Sequence, residues 1–238
     1  MRLSYLGTAV ALSTACTSIQ SSSIKTSGMS ASMQVVADGT GQTTASATLN
    51  VGSNSTDFVD LSSGDVLVAT AGARSQPMAR IDALSVISYR TSFNGLDTDG
   101  MQYTIALNRA NDVGAPSSIC VLPKPFNVTA PTGNGIFSRA NSDITVTYDN
   151  VGTQDSMTWS IGGGCVKGLV GGNVAGDTGS FTIAKGTLVP VGASQSGVTC
   201  QAQITLTRAR SGQVDAHFGS GGAITAMQVR TVTFNSAP

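Results

Sequence analysis

Apolar and polar residues alternate with a period of two in many short stretches of this chain. The apolar sets of the three clearest stretches are Tyr103, Ile105 and Leu107; Ile144, Val146 and Tyr148; and Ala202, Ile204 and Leu206. Successive side chains of a β-strand point to opposite faces of a sheet, so this period predicts half-buried strands. Further strands are predicted over residues 33–36, 45–51, 66–71 and 85–93.

Turn-forming sequences such as ADGTG, DTDG and PTGNG separate these stretches. Many short strands at such spacing are typical of sandwiches and barrels. We therefore predict an all-β protein, an antiparallel β-sandwich built as two Ig-like domains in tandem. The last stretch changes phase between Val229 and Val232, which indicates a bulge or burial on both faces.

A cluster of prolines in the middle of the chain marks the predicted domain boundary. Pro116, Pro123, Pro125 and Pro131 lie close together, and proline interrupts the hydrogen bonding of central strands. We assign residues 31–115 to a first sandwich and residues 116–238 to a second. A single large sandwich with a proline-rich crossover stays open as the alternative.

The composition favours strands over helices and limits the classes of partner. All 13 acidic residues of the 238 are aspartate, and only four lysines are present. A chain without glutamate has few means of forming the opposite-charge pairs that stabilise exposed helices. Because 13 basic residues balance the 13 acidic ones, the chain has no excess of positive charge with which to bind nucleic acid.

The first 16 residues have the order of a secretory signal peptide. Arg2 precedes an apolar run over residues 3–12, and Ser13, Thr14 and Ala15 lead to Cys16. This run is shorter than the ~20 residues that a permanent membrane helix needs. We predict a signal peptide over residues 1–15.

The junction resembles the lipobox of bacterial lipoproteins, although Ser13 stands where that motif usually has leucine. The resemblance implies that Cys16 is lipidated and becomes the mature N-terminus. It also implies export to the outer membrane, because Thr17 stands where lipoproteins retained at the inner membrane carry aspartate. Cleavage by an ordinary signal peptidase and a retained apolar segment are the alternatives.

Residues 16–30 are rich in serine and threonine and lack apolar periodicity. Such a segment has little to bury, so we expect a flexible tether between the lipid and the folded region. The expected partners are the membrane, through the lipid, and an envelope protein or polysaccharide.

Disulfides persist outside the cytosol, so an exported protein is expected to form them between its other cysteines. With Cys16 lipidated, Cys120, Cys165 and Cys200 remain. We pair Cys165 with Cys200, because each lies at the margin of a predicted strand in the C-terminal half. Cys120 lies in an apolar run and is expected to be a small core residue. With no CxxC motif and one histidine, neither a metal site nor a cofactor is predicted.

Two groups of residues are the candidates for catalysis. Asp177 begins the sequence Asp-Thr-Gly-Ser, which occurs in aspartic proteases, but that chemistry needs a second carboxylate and the chain has no second such motif. Asp215 and His217 lie two residues apart, so on a strand the carboxylate could orient the imidazole. A turn for Asp177 and a structural role for His217 are the preferred interpretations.

Three further features have structural interpretations. The sequence DTDG at residues 97–100 resembles part of a calcium loop, but the other ligands of that motif are missing and a turn is expected. The glycine-rich residues 162–173 are expected to form a flexible loop near the disulfide. Arg208 and Arg210, with Arg230 beside them, form an anion groove or a solvated ladder, with Asp215 as the expected partner.

From these observations we predict a lipid-anchored, non-enzymatic protein of the bacterial cell envelope that binds a partner through sheet edges or loops. A secreted hydrolase that uses Asp177 or the Asp215–His217 pair is the alternative.

Overall fold

The computed structural model describes residues 18–53 and 56–238, and within them every long element is a strand. The strands are β1 Ser18–Gln20, β2 Met29–Ala37, β3 Gln42–Val51, β4 Phe58–Asp60, β5 Val66–Ala71, β6 Arg74–Pro77, β7 Ala79–Ala83, β8 Val86–Asn94, β9 Gln102–Asn108, β10 Ala115–Val121, β11 Val128–Ala130, β12 Ile136–Ser138, β13 Ile144–Tyr148, β14 Ser156–Gly163, β15 Val170–Val174, β16 Ser180–Ile183, β17 Cys200–Ser211 and β18 Ala223–Ala237. Three short 3₁₀ turns, Ser21–Ser23, Thr26–Gly28 and Ala193–Gln195, complete the regular structure of this region. The predicted all-β class is confirmed.

The strands form one large sheet and two small sheets. The large sheet runs in the order β1-β4-β3-β2-β18-β17-β14-β15, with β7, β8 and β12 attached at its sides. The small sheets have the orders β10-β9-β5-β6 and β11-β13-β16. Two separate hydrophobic cores result, and the molecule is therefore a tandem of two sandwiches that share one sheet. Most strand pairs are antiparallel, but β1–β4, β2–β18 and β12–β18 are parallel.

The predicted alternation coincides with burial. The apolar sets of β9, β13 and β17 are all buried, and the residues between them are exposed or half-buried. The aliphatic and aromatic side chains of these faces are removed from water, which is the dominant favourable contribution to folding.

Strands β17 and β18 join the two sandwiches, because each runs through both. Ile224 and Ala226, near the start of β18, belong to the first core, and Phe234, near its end, belongs to the second. The pairing of β17 with β18 is continuous, so the bulge, one of the two predicted explanations for the phase change between Val229 and Val232, is absent. The apolar pattern is interrupted because the core-facing positions between the two cores carry Gln228 and Arg230.

The chain passes from the first core to the second later than the predicted boundary after Ala115. Cys120 and Leu122 pack in the first core, and Phe126 is in the second. Pro116 does not end a strand, because it lies in edge strand β10 at a register shift between Ala115 and Ser118. Proline is tolerated at such bulges and edges. The crossing falls instead at residues 123–125.

Residues 18–30 do not form the flexible tether that their composition suggested. Ser18 begins β1, which pairs with β4, and Ser21 and Thr26 are buried. Their hydroxyls donate to Asp65 and Asp112 respectively, so polar contacts order a segment that has few apolar residues. The predicted signal peptide and Cys16 lie outside the described residues.

The glycine-rich residues 162–173 are also more regular than expected. Gly162 and Gly163 end β14, and β15 begins at Val170 and pairs with β14. Within the described ranges, no helix is long and apolar enough to cross a membrane.

Candidate functional site

Asp177, the residue that resembles a protease aspartate, forms a buried ion pair. Its Oδ1 atom accepts a hydrogen bond from Nη2 of Arg208 at 2.9 Å, and the two side chains are 1% and 0% exposed. Its Oδ2 atom accepts from the amide and the hydroxyl of Thr153, at 2.9 and 2.6 Å. Burial alone would raise the pKa of this carboxyl, but the hydrogen bonds from Thr153 and the charge of Arg208 outweigh it and hold the pKa below its ordinary value.

The guanidinium of Arg208 also holds the crossing between the two sandwiches. Its Nη1 atom donates to the carbonyl of Lys124 at 2.8 Å, and its Cζ atom lies 4.9 Å from the centre of the Phe126 ring. The Cζ atom of Arg230 lies 5.4 Å from the same ring. Cations at this distance from an aromatic ring are attracted by its quadrupole.

Arg210 and Gln228 bind the same crossing from neighbouring strands. Arg210 forms a two-bond ion pair with Asp155, at 2.7 and 2.9 Å, and donates to the carbonyl of Leu122. The side-chain amide of Gln228 donates to the carbonyls of Asp97 and Pro123. The expected pairing of the late arginines with Asp215 is therefore wrong. Arg208 and Arg210 lie on the core-facing side of β17, and Arg230 lies on that of β18. Because Arg208 is fully buried and Arg210 is paired with Asp155, they do not form the expected solvated ladder.

Asp215 and His217 do come together, as their spacing predicted. The Oδ1 atom of Asp215 lies 2.7 Å from Nδ1 of His217 and accepts from the His217 amide at 2.9 Å. Its Oδ2 atom accepts from the amide and the hydroxyl of Ser117, at 2.7 and 2.8 Å. Burial would raise the pKa of Asp215, but these hydrogen bonds lower it to about 2.

The geometry around His217 lacks a nucleophile. Its side chain is 54% exposed and borders an open cavity of about 440 Å³ that Lys25, Asp112 and Val113 also line. In the part of the chain that the structure describes, no serine or threonine hydroxyl bonds to Nε2 of His217, and the Ser117 hydroxyl donates to the carboxylate instead. The arrangement orients an imidazole but does not form a serine triad.

Arg109 organises the N-terminal segment, which we call the N-terminal clamp (residues 18–28 with Arg109). Its Nε atom lies 2.7 Å from Oδ2 of Asp65, and both side chains are 3% exposed. Its Nη2 atom donates to the carbonyls of Ser21 and Ile24, at 2.7 and 3.1 Å. Sequence reasoning did not identify Arg109 because its main contacts are distant along the chain.

The far end of the second sandwich is built around the predicted disulfide. Cys165 and Cys200 are bonded, and the pairing is confirmed. Arg139, which is 6% exposed, lies beside them and donates to the carbonyls of Ser196, Val198 and Ser236. No motif in the sequence marks Arg139, because its acceptors are carbonyl groups that lie far away along the chain.

Aliphatic side chains are exposed around this disulfide. Leu169, Val189, Val191 and Val198 are 76%, 51%, 54% and 40% exposed. The loops that carry them are joined by backbone hydrogen bonds from Lys167 to Val189 and from Val191 to Cys165. We call Leu169, Val189, Val191 and Val198 the distal patch.

The remaining sequence candidates lie in a turn or within the two sandwiches. Asp97 and Asp99 lie in the turn between β8 and β9, and the described residues contain no group of three or more histidine, cysteine or acidic side chains that could hold a metal ion. Cys120 is a buried free thiol whose pKa burial raises to about 12. Trp159 stacks on Phe181, and a Cβ atom added to Gly172 would lie 3.3 Å from its Nε1, so this ring packs inside the sandwich edge.

No family model and no curated protein matches this chain. Among solved structures, it is similar to the FN1–FN3 domains of chicken CNTN1 (15% identity, TM-score 0.25), covering 86% of this chain and 64% of that one. It is similar to a two-domain fibronectin type III segment of chicken tenascin (16% identity, TM-score 0.23), covering 82% and 95%. It is also similar to Bacteroides ovatus SGBP-B, solved with a mixed-linkage heptasaccharide (12% identity, TM-score 0.21), covering 82% and 54%. Similarities at these scores assign neither a family nor a function.

Proposed function

We propose that this protein is a lipid-anchored, non-catalytic interaction module of the bacterial cell envelope, attached to the outer membrane through Cys16. The observation that carries the proposal is the placement of the chain's entry and the distal patch at opposite ends. Ser18, two residues after Cys16, lies at the outer end of the first sandwich, and the distal patch lies at the outer end of the second.

The pairing of the large sheet defines these two ends. Ser18 pairs with Phe58, and Phe58 pairs with Asn50, which lies opposite Ser30 at the start of β2. From that end the sheet continues along the 15 residues of β18 to Ser236, which pairs with Cys200. At about 3.3 Å per residue, the two ends are about 50 Å apart. A lipid at Cys16 would therefore leave the distal patch far from the membrane and free to meet a partner.

The character of the distal patch favours a protein as the partner over a polysaccharide. Its side chains are aliphatic and exposed, and they lie on loops that backbone hydrogen bonds join. Exposed apolar surface of this kind favours contact with another protein. Polysaccharide sites usually offer an aromatic ring for stacking, whereas the ring of Trp159 is packed against Phe181 and the backbone of Gly172. The disulfide and Arg139 hold the loops of the patch in place, which limits the entropy lost on binding.

The candidate catalytic acids support a non-catalytic function. Asp177 is held by Arg208 and Thr153, and Asp215 is held by Ser117 and His217. Each carboxylate therefore has a structural partner for both of its oxygens. Among the described residues, these partners are cations, hydroxyls and amides, and none is a second carboxylate that could share a proton.

Anchoring is tested on the native protein by intact mass and by partitioning between detergent and water. We expect a chain that begins at Cys16 and carries acyl groups, and that enters the detergent phase. A Cys16→Ser variant should enter the aqueous phase. A native chain without acyl mass contradicts the anchoring, and a native chain that still begins at Met1 contradicts export as well.

The binding surface is tested by site-specific photo-crosslinking in intact cells. A photoreactive side chain replaces Val191 in the distal patch, and the matched control replaces Val151, which is 45% exposed outside the patch. We expect protein adducts from position 191 that are absent from position 151. Equal adducts at both positions, or none at 191, contradict the assignment of the distal patch.

A secreted hydrolase is the alternative, and one observation favours it. The imidazole of His217 is oriented by Asp215 at the border of an open cavity. Assays of ester, amide and glycoside hydrolysis with His217→Ala and Asp177→Ala test it. Under our proposal no turnover depends on His217, whereas a hydrolytic activity that this substitution abolishes in a folded protein favours the hydrolase.

A further inference from the structure

The hairpin between β7 and β8 ends in an apolar residue that the fold does not bury. Leu84 is 99% exposed and has a φ of +51°, and Ser85 follows with a φ of +66°. A two-residue turn with both φ values positive favours asparagine and glycine, because a larger side chain is sterically strained there. Leu84 therefore gains neither burial nor a relaxed backbone from folding.

The tip of this hairpin, Ala83–Val86, carries no charge. Val86 is 41% exposed, and Ala83 is exposed as well. The nearest charged side chains on the hairpin, Arg80 and Asp82, bind one another, and Arg80 also binds Asp60. The tip is a protruding apolar point, and its neighbouring charges are already paired.

The register of the large sheet places this tip at the end where the chain enters the fold. Strand β8 pairs antiparallel with β3 from Asn94 opposite Gln42 to Tyr89 opposite Ala47. The tip lies beyond the last of these pairs, because β8 continues from Tyr89 to Val86 in the direction in which β3 runs from Ala47 to Val51. Beyond Ala47, Phe58 of β4 takes the position opposite Asn50, and Arg80 of the hairpin binds Asp60 of that strand. Leu84 and Ser85 therefore extend toward the end of the sheet at which Ser18 pairs with Phe58.

Only Thr17 separates Cys16 from Ser18. Two residues span at most about 7 Å, so an acyl chain on Cys16 would hold this end of the sandwich against the bilayer. Because residues 18–28 are bound by Arg109, they cannot lengthen this connection as a flexible tether would.

We propose that the tip Ala83–Val86 inserts into the lipid interface of the membrane that Cys16 anchors, with Leu84 as the inserted side chain. This inference rests on the proposed lipid anchoring. Contact of Leu84 with acyl chains removes its exposed surface from water, which compensates for the strained turn. The tip then sets the orientation of the molecule on the membrane, with the distal patch pointing away from the lipid.

Tryptophan fluorescence in vesicles tests this insertion with the full acylated chain. Trp159→Phe removes the single native tryptophan, and Leu84→Trp introduces a reporter at a position so exposed that folding should be unaffected. The protein is reconstituted into phosphatidylethanolamine–phosphatidylglycerol vesicles with or without brominated acyl chains. The matched control carries Val189→Trp in the distal patch instead.

We expect brominated lipid to reduce the emission of the Leu84→Trp variant at least two-fold and to leave that of the Val189→Trp control unchanged. Mass spectrometry of the same preparation reports acylation separately. An acylated Leu84→Trp chain whose emission is unquenched overturns this inference and leaves the anchoring intact. A chain without acyl groups contradicts the anchoring and the insertion together.

Discussion

The guanidinium of Arg208 and the carboxylate of Asp177 meet at 2.9 Å where the two sandwiches join, and neither side chain reaches solvent. Arg208 comes from the shared strand β17, and Asp177 comes from the turn before β16 of the second small sheet. The same guanidinium donates to the carbonyl of Lys124 in the crossing between the cores. One ion pair therefore links three separate parts of the chain at the junction.

We expect Asp177→Asn to destabilise the protein strongly. The substitution leaves the charge of Arg208 buried without a counter-charge, which typically costs about 3–5 kcal/mol. Chemical denaturation measures the free energy of unfolding. The control is Asp82→Asn, because Asp82 pairs with Arg80 at the surface, 51% exposed, and its removal should change stability little. Similar losses in the two variants would contradict the structural role of Asp177.

Asp215 should make the stability of the fold depend on pH at the acidic end. Its pKa is about 2 in the folded protein and close to 3.9 in an unfolded chain. The stabilisation is therefore fully present well above pH 4 and is lost as the pH falls toward 2, with a total of about 2.6 kcal/mol. Unfolding of the native protein and of Asp215→Asn, measured from pH 6 to pH 2, compares the two slopes. We expect a shallower slope in the variant, and parallel curves would show that the carboxylate is not stabilised by folding.

The disulfide should stabilise the second sandwich through the 35-residue separation of its cysteines. Closing a loop of this length restricts the unfolded chain and contributes on the order of 3–4 kcal/mol. Unfolding of Cys165→Ala/Cys200→Ala against the native protein measures this contribution. Cys120→Ala is the control for loss of a buried cysteine without loss of a crosslink. A double variant no less stable than this control would disagree with the expectation.

Removing Arg109 should release the N-terminal clamp. Arg109→Met eliminates the donors to the carbonyls of Ser21 and Ile24 and leaves the buried carboxylate of Asp65 without its cation. We expect trypsin to cut after the exposed Lys25 at least ten-fold faster than in the native protein. Arg74→Met is the matched control, because Arg74 is exposed and donates to a single carbonyl, that of Asn94. Equal rates of cleavage in the two variants would mean that other contacts order residues 18–28.

The period of alternation by itself determined the class of the fold and the buried face of its strands. Tyr103, Ile105 and Leu107 are buried as predicted, because a strand has only two faces and only one of them carried apolar residues. The pairing of Cys165 with Cys200 also followed from their positions at strand margins. Arg208 and Arg210 lie at the same parity as Ala202, Ile204 and Leu206, which was an unused indication that they face inward.

Only the tertiary structure decided what those arginines bind and where the chain is ordered. Asp177, Asp155, Arg109 and Arg139 take their main partners from positions at least 24 residues away along the chain, and local patterns contain no information about such contacts. Residues 18–30 have the composition of a tether, but buried acceptors and donors from distant loops fix them in place. Composition records how much a segment can bury by itself, whereas the folded chain supplies the hydrogen-bond partners that order it.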